Sequence, residues 1–150
     1  RRSPADPRAL DGAPLLACRH NLNYWRNGRY LGLGSAATTY DGTARTTNVA
    51  HPRDFIRLVA ASASPVAMRD EPSPASRLGE TMMLGLRLMA GVTRADFVER
   101  TGMSLDEVYG PAIARLVDDG LLISDAIGIR LTRRGRLLGN RVFVEFLPGA

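Results

Sequence analysis

The sequence predicts an α+β chain, on three observations: short apolar runs broken by turn residues before position 60, amphipathic helical periodicity after position 76, and a stretch rich in Pro and Ser between them. The implied division is a first segment at 1–60, a linker at 61–76, and a helical unit with one hairpin at 77–150. Residues 1–17 carry three Pro and no helical period, and are expected to be irregular.

At 150 residues and 45% hydrophobic content the chain can bury a modest core. No apolar run approaches the roughly 20 residues of a membrane span, and the first residues lack the apolar stretch of a secretory leader, so a cytoplasmic setting is expected. Cys18 is the only cysteine, which excludes an internal disulfide and any cluster held by this chain alone. The net charge of +5 resides in the first segment, where nine Arg face four Asp; in 61–150, eleven Arg face eleven acids. Every basic residue is Arg, whose planar fork suits carboxylates.

In the first segment, Tyr30–Leu33 and Ala36–Tyr40 are candidate strands and Asp41-Gly42 a turn pair. His51-Pro52-Arg53-Asp54 opens a short helix running through Val59, with Phe55, Ile56 and Val59 on one flank. His51, before Pro, reads as structural. Beyond the linker, Leu78, Met82, Leu86 and Met89 mark a helix over 77–90 that Gly91 ends. Thr93 caps a second helix over 94–101, and Ser104 with Glu107 forms a capping box for a third, 105–119, whose stripe is Leu105, Val108, Ala112 and Leu116. Pro111 inside it removes one backbone hydrogen bond. Residues 121–124 and 129–132 flank a turn as a hairpin, and Thr132 caps a last helix bearing Leu138, Val142 and Phe146.

This order of helices and hairpin is winged-helix-like, which raises a DNA-binding regulator as one reading. The charges disfavour nucleic acid. The helix that would enter the groove carries Asp106, Glu107, Asp118 and Asp119 against Arg115 alone, and carboxylates facing phosphates repel.

The densest chemistry lies at 18–48. His20-Asn21-Leu22-Asn23-Tyr24-Trp25 sets an imidazole, two amides, a phenol and the only Trp within six residues. Ten residues after His20, Tyr30-Leu31-Gly32-Leu33-Gly34-Ser35-Ala36-Ala37 offers small residues where backbone can approach a ligand. The spacing Gly32-x-Gly34-x-x-Ala37 matches a dinucleotide fingerprint, but the strand and turn residues that follow exclude the helix which that fingerprint requires.

These two runs, with Gly42, Arg45, Thr46 and Asn48, then residues 79–92 and 129–147 in order, resemble the C-terminal part of the radical-SAM proteins related to oxygen-independent coproporphyrinogen III oxidase, and within them the HemW group of heme chaperones. The resemblance implies that residues 1–60 are the terminal strands of a partial radical-SAM barrel, followed by the winged-helix-like domain. It implies heme or porphyrin as the ligand, and as partners the missing N-terminal barrel portion or a heme-accepting protein. A 4Fe-4S cluster and S-adenosylmethionine belong to the full-length family, whose CxxxCxxC motif is absent here. By the same resemblance His20, Asn21, Tyr24 and Trp25 are the heme-binding candidates, with His20 a ligand to the iron. Gly32, Gly34, Ser35 and Ala36 match the S-adenosylmethionine end of the barrel. Read from the residues alone, His20 and Asn21 equally suit satisfying backbone groups at a barrel edge, Trp25 a core position, and the glycines a tight turn. The competing function is a C-terminal piece of the coproporphyrinogen oxidase itself. The His-Asn-x-x-Tyr-Trp run favours the heme-binding relatives. No nucleophile with a base and no paired acids appear, so catalysis by this chain alone is not expected.

Overall fold

The computed structural model describes residues 18–149, so the expectation for 1–17 lies outside the described residues. The order is α1 (Arg19–Trp25), β1 (Thr38–Tyr40), β2 (Arg45–Asn48), α2 (Pro52–Ala60), β3 (Val66–Asp70), α3 (Pro74–Gly85), β4 (Val92–Thr93), α4 (Arg94–Thr101), α5 (Leu105–Asp118), β5 (Leu122–Ser124), β6 (Gly128–Leu131), α6 (Arg133–Leu137) and α7 (Gly139–Val144). Two antiparallel three-stranded sheets form, ordered β1-β2-β3 and β4-β6-β5.

The first sheet turns at Asp41, whose Oδ1 accepts from the Thr43 and Ala44 amides at 2.7 and 2.8 Å. The candidate strand 30–33 is reduced to a single bridge, in which Tyr30 and Tyr40 exchange backbone hydrogen bonds at 3.0 and 2.9 Å. The stretch 61–76 is not a featureless connection. Its Val66–Asp70 is β3, paired with β2 from Arg45↔Asp70 to Asn48↔Val66, because β2 had a free edge whose amides and carbonyls needed partners. Its end, Ser73-Pro74, begins α3 three residues before Arg77: Ser73 Oγ accepts from the Ser76 amide at 3.1 Å and Pro74 occupies the first helical turn.

The second sheet and its helices enclose one apolar core. Met82, Leu86, Phe97, Leu105, Ile113, Leu121, Ile129, Val142 and Phe146 are among its buried members, with Val108 packed against it. The stripe expected on α5 is thus inward-facing. On α3 the period breaks early: the helix stops at Gly85 so that Leu86 stays buried while the chain turns to pair Val92 with Ile129, and Met89 is left 69% exposed. Gly91 sits at φ 75° in that turn, where a Cβ would lie 1.9 Å from the Ile129 carbonyl oxygen. Thr93 caps α4 through the Asp96 amide at 3.0 Å, and Gly102 closes it in the left-handed region.

Ser104 makes no side-chain cap bond, so the capping box is not formed. The first turn of α5 is tied instead by Asp106, which receives Arg94 Nε and Nη2 at 2.7 and 2.9 Å. The same guanidinium donates to the Asp125 carbonyl and to Ser124 Oγ, joining α4, α5 and the β5-β6 turn. The last helix is two helices. Leu138 departs to φ −111°, ψ 27°, and this break lets Val142, Phe143 and Phe146 all reach the core.

Phe97→Ala is expected to lower the unfolding free energy by about 3–5 kcal/mol, since it removes a fully buried ring from the centre of this core. Urea denaturation of the two forms measures it, and a loss below about 1 kcal/mol would show that the core does not depend on this ring.

Candidate functional site

The His20–Trp25 run is helical, which decides which of its side chains meet. Residues four apart share a helix face, whereas five apart diverge by about 140°. His20 and Tyr24 accordingly stack edge to face at 4.8 Å between ring centroids. Tyr24 continues to Tyr30 at 4.8 Å and Tyr30 to Tyr40 at 6.0 Å, so an aromatic file runs from the exposed His20 to the buried Tyr40 on β1. Trp25 faces elsewhere. The Arg87 guanidinium lies 5.3 Å from its ring centroid and 4.9 Å from that of Phe143, so Trp25 docks α1 on the C-terminal unit and does not stand beside His20.

The two asparagines differ in the same way. Asn23 Nδ2 donates to the Arg29 carbonyl at 2.9 Å, and the Asn23 carbonyl accepts from the Gly28 amide at 2.8 Å, closing the end of α1. Asn21 is exposed beside His20, and neither side chain has a hydrogen bond among the described residues.

The Gly32–Ala36 strap lies against the first sheet. Gly32 donates its amide to Thr39 Oγ1 at 3.0 Å, and a Cβ there would stand 2.3 Å from the Thr38 carbonyl oxygen. Gly34 accepts from Asn48 Nδ2 at 2.9 Å, and Ala36, at φ 57°, donates to the Val49 carbonyl at 3.0 Å. Ser35 is half-buried between them. Close backbone packing accounts for Gly32, and a φ of 101° for Gly34, where a Cβ would meet nothing within 4 Å, while Leu31 and Leu33 are 74% and 82% exposed.

For an iron ligand, an exposed imidazole with a free ring and an aromatic neighbour is a suitable donor. For an iron–sulfur cluster the residues do not fit: Cys18 is the only cysteine, and among the described residues no three His, Cys, Asp or Glu side chains gather as a metal site. A long-range pair also meets the inner end of the aromatic file. Arg45 binds Glu80 of α3 with two hydrogen bonds of 3.1 and 2.8 Å and lies over the Tyr40 ring at 4.6 Å. Thirty-five residues separate that pair, so no local pattern announces it.

Residues 73–138 match the HemN C-terminal domain family. The fold resembles that of coproporphyrinogen III oxidase (HemN) from Escherichia coli, a radical SAM enzyme, with a TM-score of 0.62 and 17% identity over 82% of this chain and 29% of that one. The protein is thus of the HemN-related class, and the region it represents is the C-terminal one. Within that class the chain belongs with the HemW proteins. It is 39% identical to the heme chaperone HemW of Bacillus subtilis over 86% of this chain and 34% of the relative, and 34% identical to that of Escherichia coli over 89% and 35%. The chain spans about a third of the length of these relatives.

The Asp41 carboxyl is held at about 2, below its ordinary 3.8, by hydrogen bonds from the Ala44 amide, the Thr43 amide and the Thr43 hydroxyl. Because the folded value is depressed, its contribution to the β1-β2 turn is complete above pH 3.8 and is lost as pH falls through about 2. Carboxyl carbon NMR is expected to give a midpoint near 2 for Asp41, with the Thr43 and Ala44 amide shifts titrating alongside it. A midpoint at the ordinary value would show that the turn is not held in this way.

Proposed function

We propose that this chain is the C-terminal region of a heme chaperone of the HemW type, and that it binds heme or porphyrin on the α1 face bearing His20 and Tyr24. The observation that carries the reading is the exposed imidazole, unpaired among the described residues and backed by the tyrosine file. Bound heme would supply iron, and His20 would hold it as a neutral nitrogen ligand. Tyr24 would offer a flat apolar surface beside the macrocycle, and Asn21 a polar group at its edge. Trp25 would act by fixing α1 on Arg87.

Residues 1–60 are read as the last strands of a radical-SAM barrel, which the longer protein completes. What supports this is that no residue of α2 is buried, all of β3 is exposed, and Leu31, Leu33 and Ile56 stand in solvent. Gly32, Gly34, Ser35 and Ala36 would then face the S-adenosylmethionine end, and a heme-accepting protein is the further partner. Residues 77–150 are read as a winged-helix unit, in which α3, α4 and α5 pack on the sheet β4-β6-β5. The exposed Asp106, Glu107, Asp118 and Asp119 of α5 and its cap speak against a DNA groove. A cytoplasmic setting suits this function, and among the described residues no helix is long and apolar enough to cross a membrane. The likeness to coproporphyrinogen III oxidase, at 17% identity, concerns the fold, so the oxidase reading ranks second.

Hemin titration into the chain is expected to give a Soret shift that His20→Ala weakens at least about tenfold, the scale of one lost coordinating or charge-assisted contact, while His51→Ala leaves it unchanged. An identical spectrum and affinity in His20→Ala would remove His20 as the ligand.

The division at 61–76 is tested separately. Hydrogen exchange at Met82–Leu86 and Ile129–Leu131 is expected to be slower than at Gly32–Tyr40, since only the former amides sit on the continuous core. Equal protection would assign the first segment a stable core of its own.

A further inference from the structure

Where the first segment meets α3 and the end of α4, the chain forms an open cleft of about 480 Å³. Arg29, Arg77 and Arg100 line it, together with the Tyr40 ring, Leu78 and Met103. No Asp or Glu is among its lining residues. Arg77 is only partly exposed, and a half-buried guanidinium ordinarily has a carboxylate partner. Glu80, one turn along α3, does not serve: both of its oxygens accept from Arg45, and it makes no ion pair with Arg77. The acid of the neighbouring turn, Asp41, is engaged by Thr43 and Ala44.

The other two arginines are aimed by their surroundings. Arg100 donates to the Arg26 carbonyl, which restrains its side chain at the cleft edge. Arg29 lies over Gly42, where a Cβ would stand 2.8 Å from its Nε, so the glycine leaves the room that this guanidinium fills. None of the three forms an ion pair among the described residues. Three cations, no lining acid, and an apolar floor of Tyr40, Leu78 and Met103 define a site for a carboxylate-bearing apolar molecule. Tyr40 is also the inner end of the file that begins at His20.

We propose that this cleft binds carboxylates, and that its ligand is the propionate edge of the porphyrin, gripped by Arg29, Arg77 and Arg100. The identity of the ligand rests on the porphyrin reading above; the carboxylate site does not.

The test uses metal-free protoporphyrin IX and its dimethyl ester, so that iron ligation by His20 plays no part, with fluorescence as the readout. The free acid is expected to bind at least about tenfold more tightly than the ester, and Arg77→Gln and Arg100→Gln each to weaken the acid about tenfold while leaving the ester unchanged. Arg133→Gln, on exposed α6, is the control, and unchanged circular dichroism melts show that the variants are folded. Equal affinities for acid and ester, or unchanged acid binding in both cleft variants, would overturn the proposal even where hemin still binds through His20. If neither porphyrin binds, glutarate separates the failures. A shift of the Arg77 Nε–H resonance with glutarate keeps the carboxylate site and removes porphyrin as its ligand, and no shift removes both.

Discussion

A polar seam, with the bidentate pair between Arg45 on β2 and Glu80 on α3 at its middle, is the joint on which the arrangement of the two halves depends. The first sheet buries little of its own, with Tyr40 and Ala44 its only fully covered apolar residues among those described, so it cannot be held by a shared hydrophobic core. Polar and cation–π contacts take that role. Arg45 reaches Glu80 while covering Tyr40, Arg87 lies against both Trp25 and Phe143, and Arg100 reaches the carbonyl of Arg26. A pair as accessible as Arg45–Glu80 contributes roughly 1 kcal/mol, so it is the set of contacts that locks the seam.

That kind of seam has a functional consequence. A hydrophobic interface would have closed the space between the halves, whereas arginines bridging at separate points leave a cleft with cations at its rim. The same seam splits the short α1 into two tasks. Trp25 docks on Arg87, and His20 stands exposed against Tyr24, so one seven-residue helix both anchors to the C-terminal unit and presents an imidazole. The exposed imidazole and the docking contact can then be altered separately, because they involve different side chains of the helix.

The C-terminal unit is built on the opposite principle. Its core is continuous through α3, α4, α5, α7 and the β4-β6-β5 sheet, and Arg94 fastens its edge where α4, α5 and the β5-β6 turn meet. Asp125 completes that turn. Arg130 holds its carboxyl below the ordinary range, with the Gly128 and Ile127 amides adding to the effect. A unit with a continuous core gives the cleft one well-packed wall, while Leu31 and Leu33 of the strap and Ile56 of α2 stand in solvent on the other half.

The sequence by itself determined the elements whose causes are local: the caps at Thr93 and Thr132, the Asp41 turn, the stripe of α5, the hairpin at 122–131, and the family through the His20–Trp25 and Tyr30–Ala37 runs. Each rests on side chains within a few residues of one another, where spacing specifies geometry. Tertiary structure alone decided the rest. Val66–Asp70 became a strand because β2 offered an unpaired edge, α3 stopped at Gly85 because Val92 had to reach Ile129, and the last helix broke at Leu138 so that Phe143 and Phe146 could both be buried. The cleft arginines are the furthest case. Arg29 lies in the connection after α1, Arg77 on α3 and Arg100 on α4, and only the packing of the first segment on α3 and α4 brings their charges together.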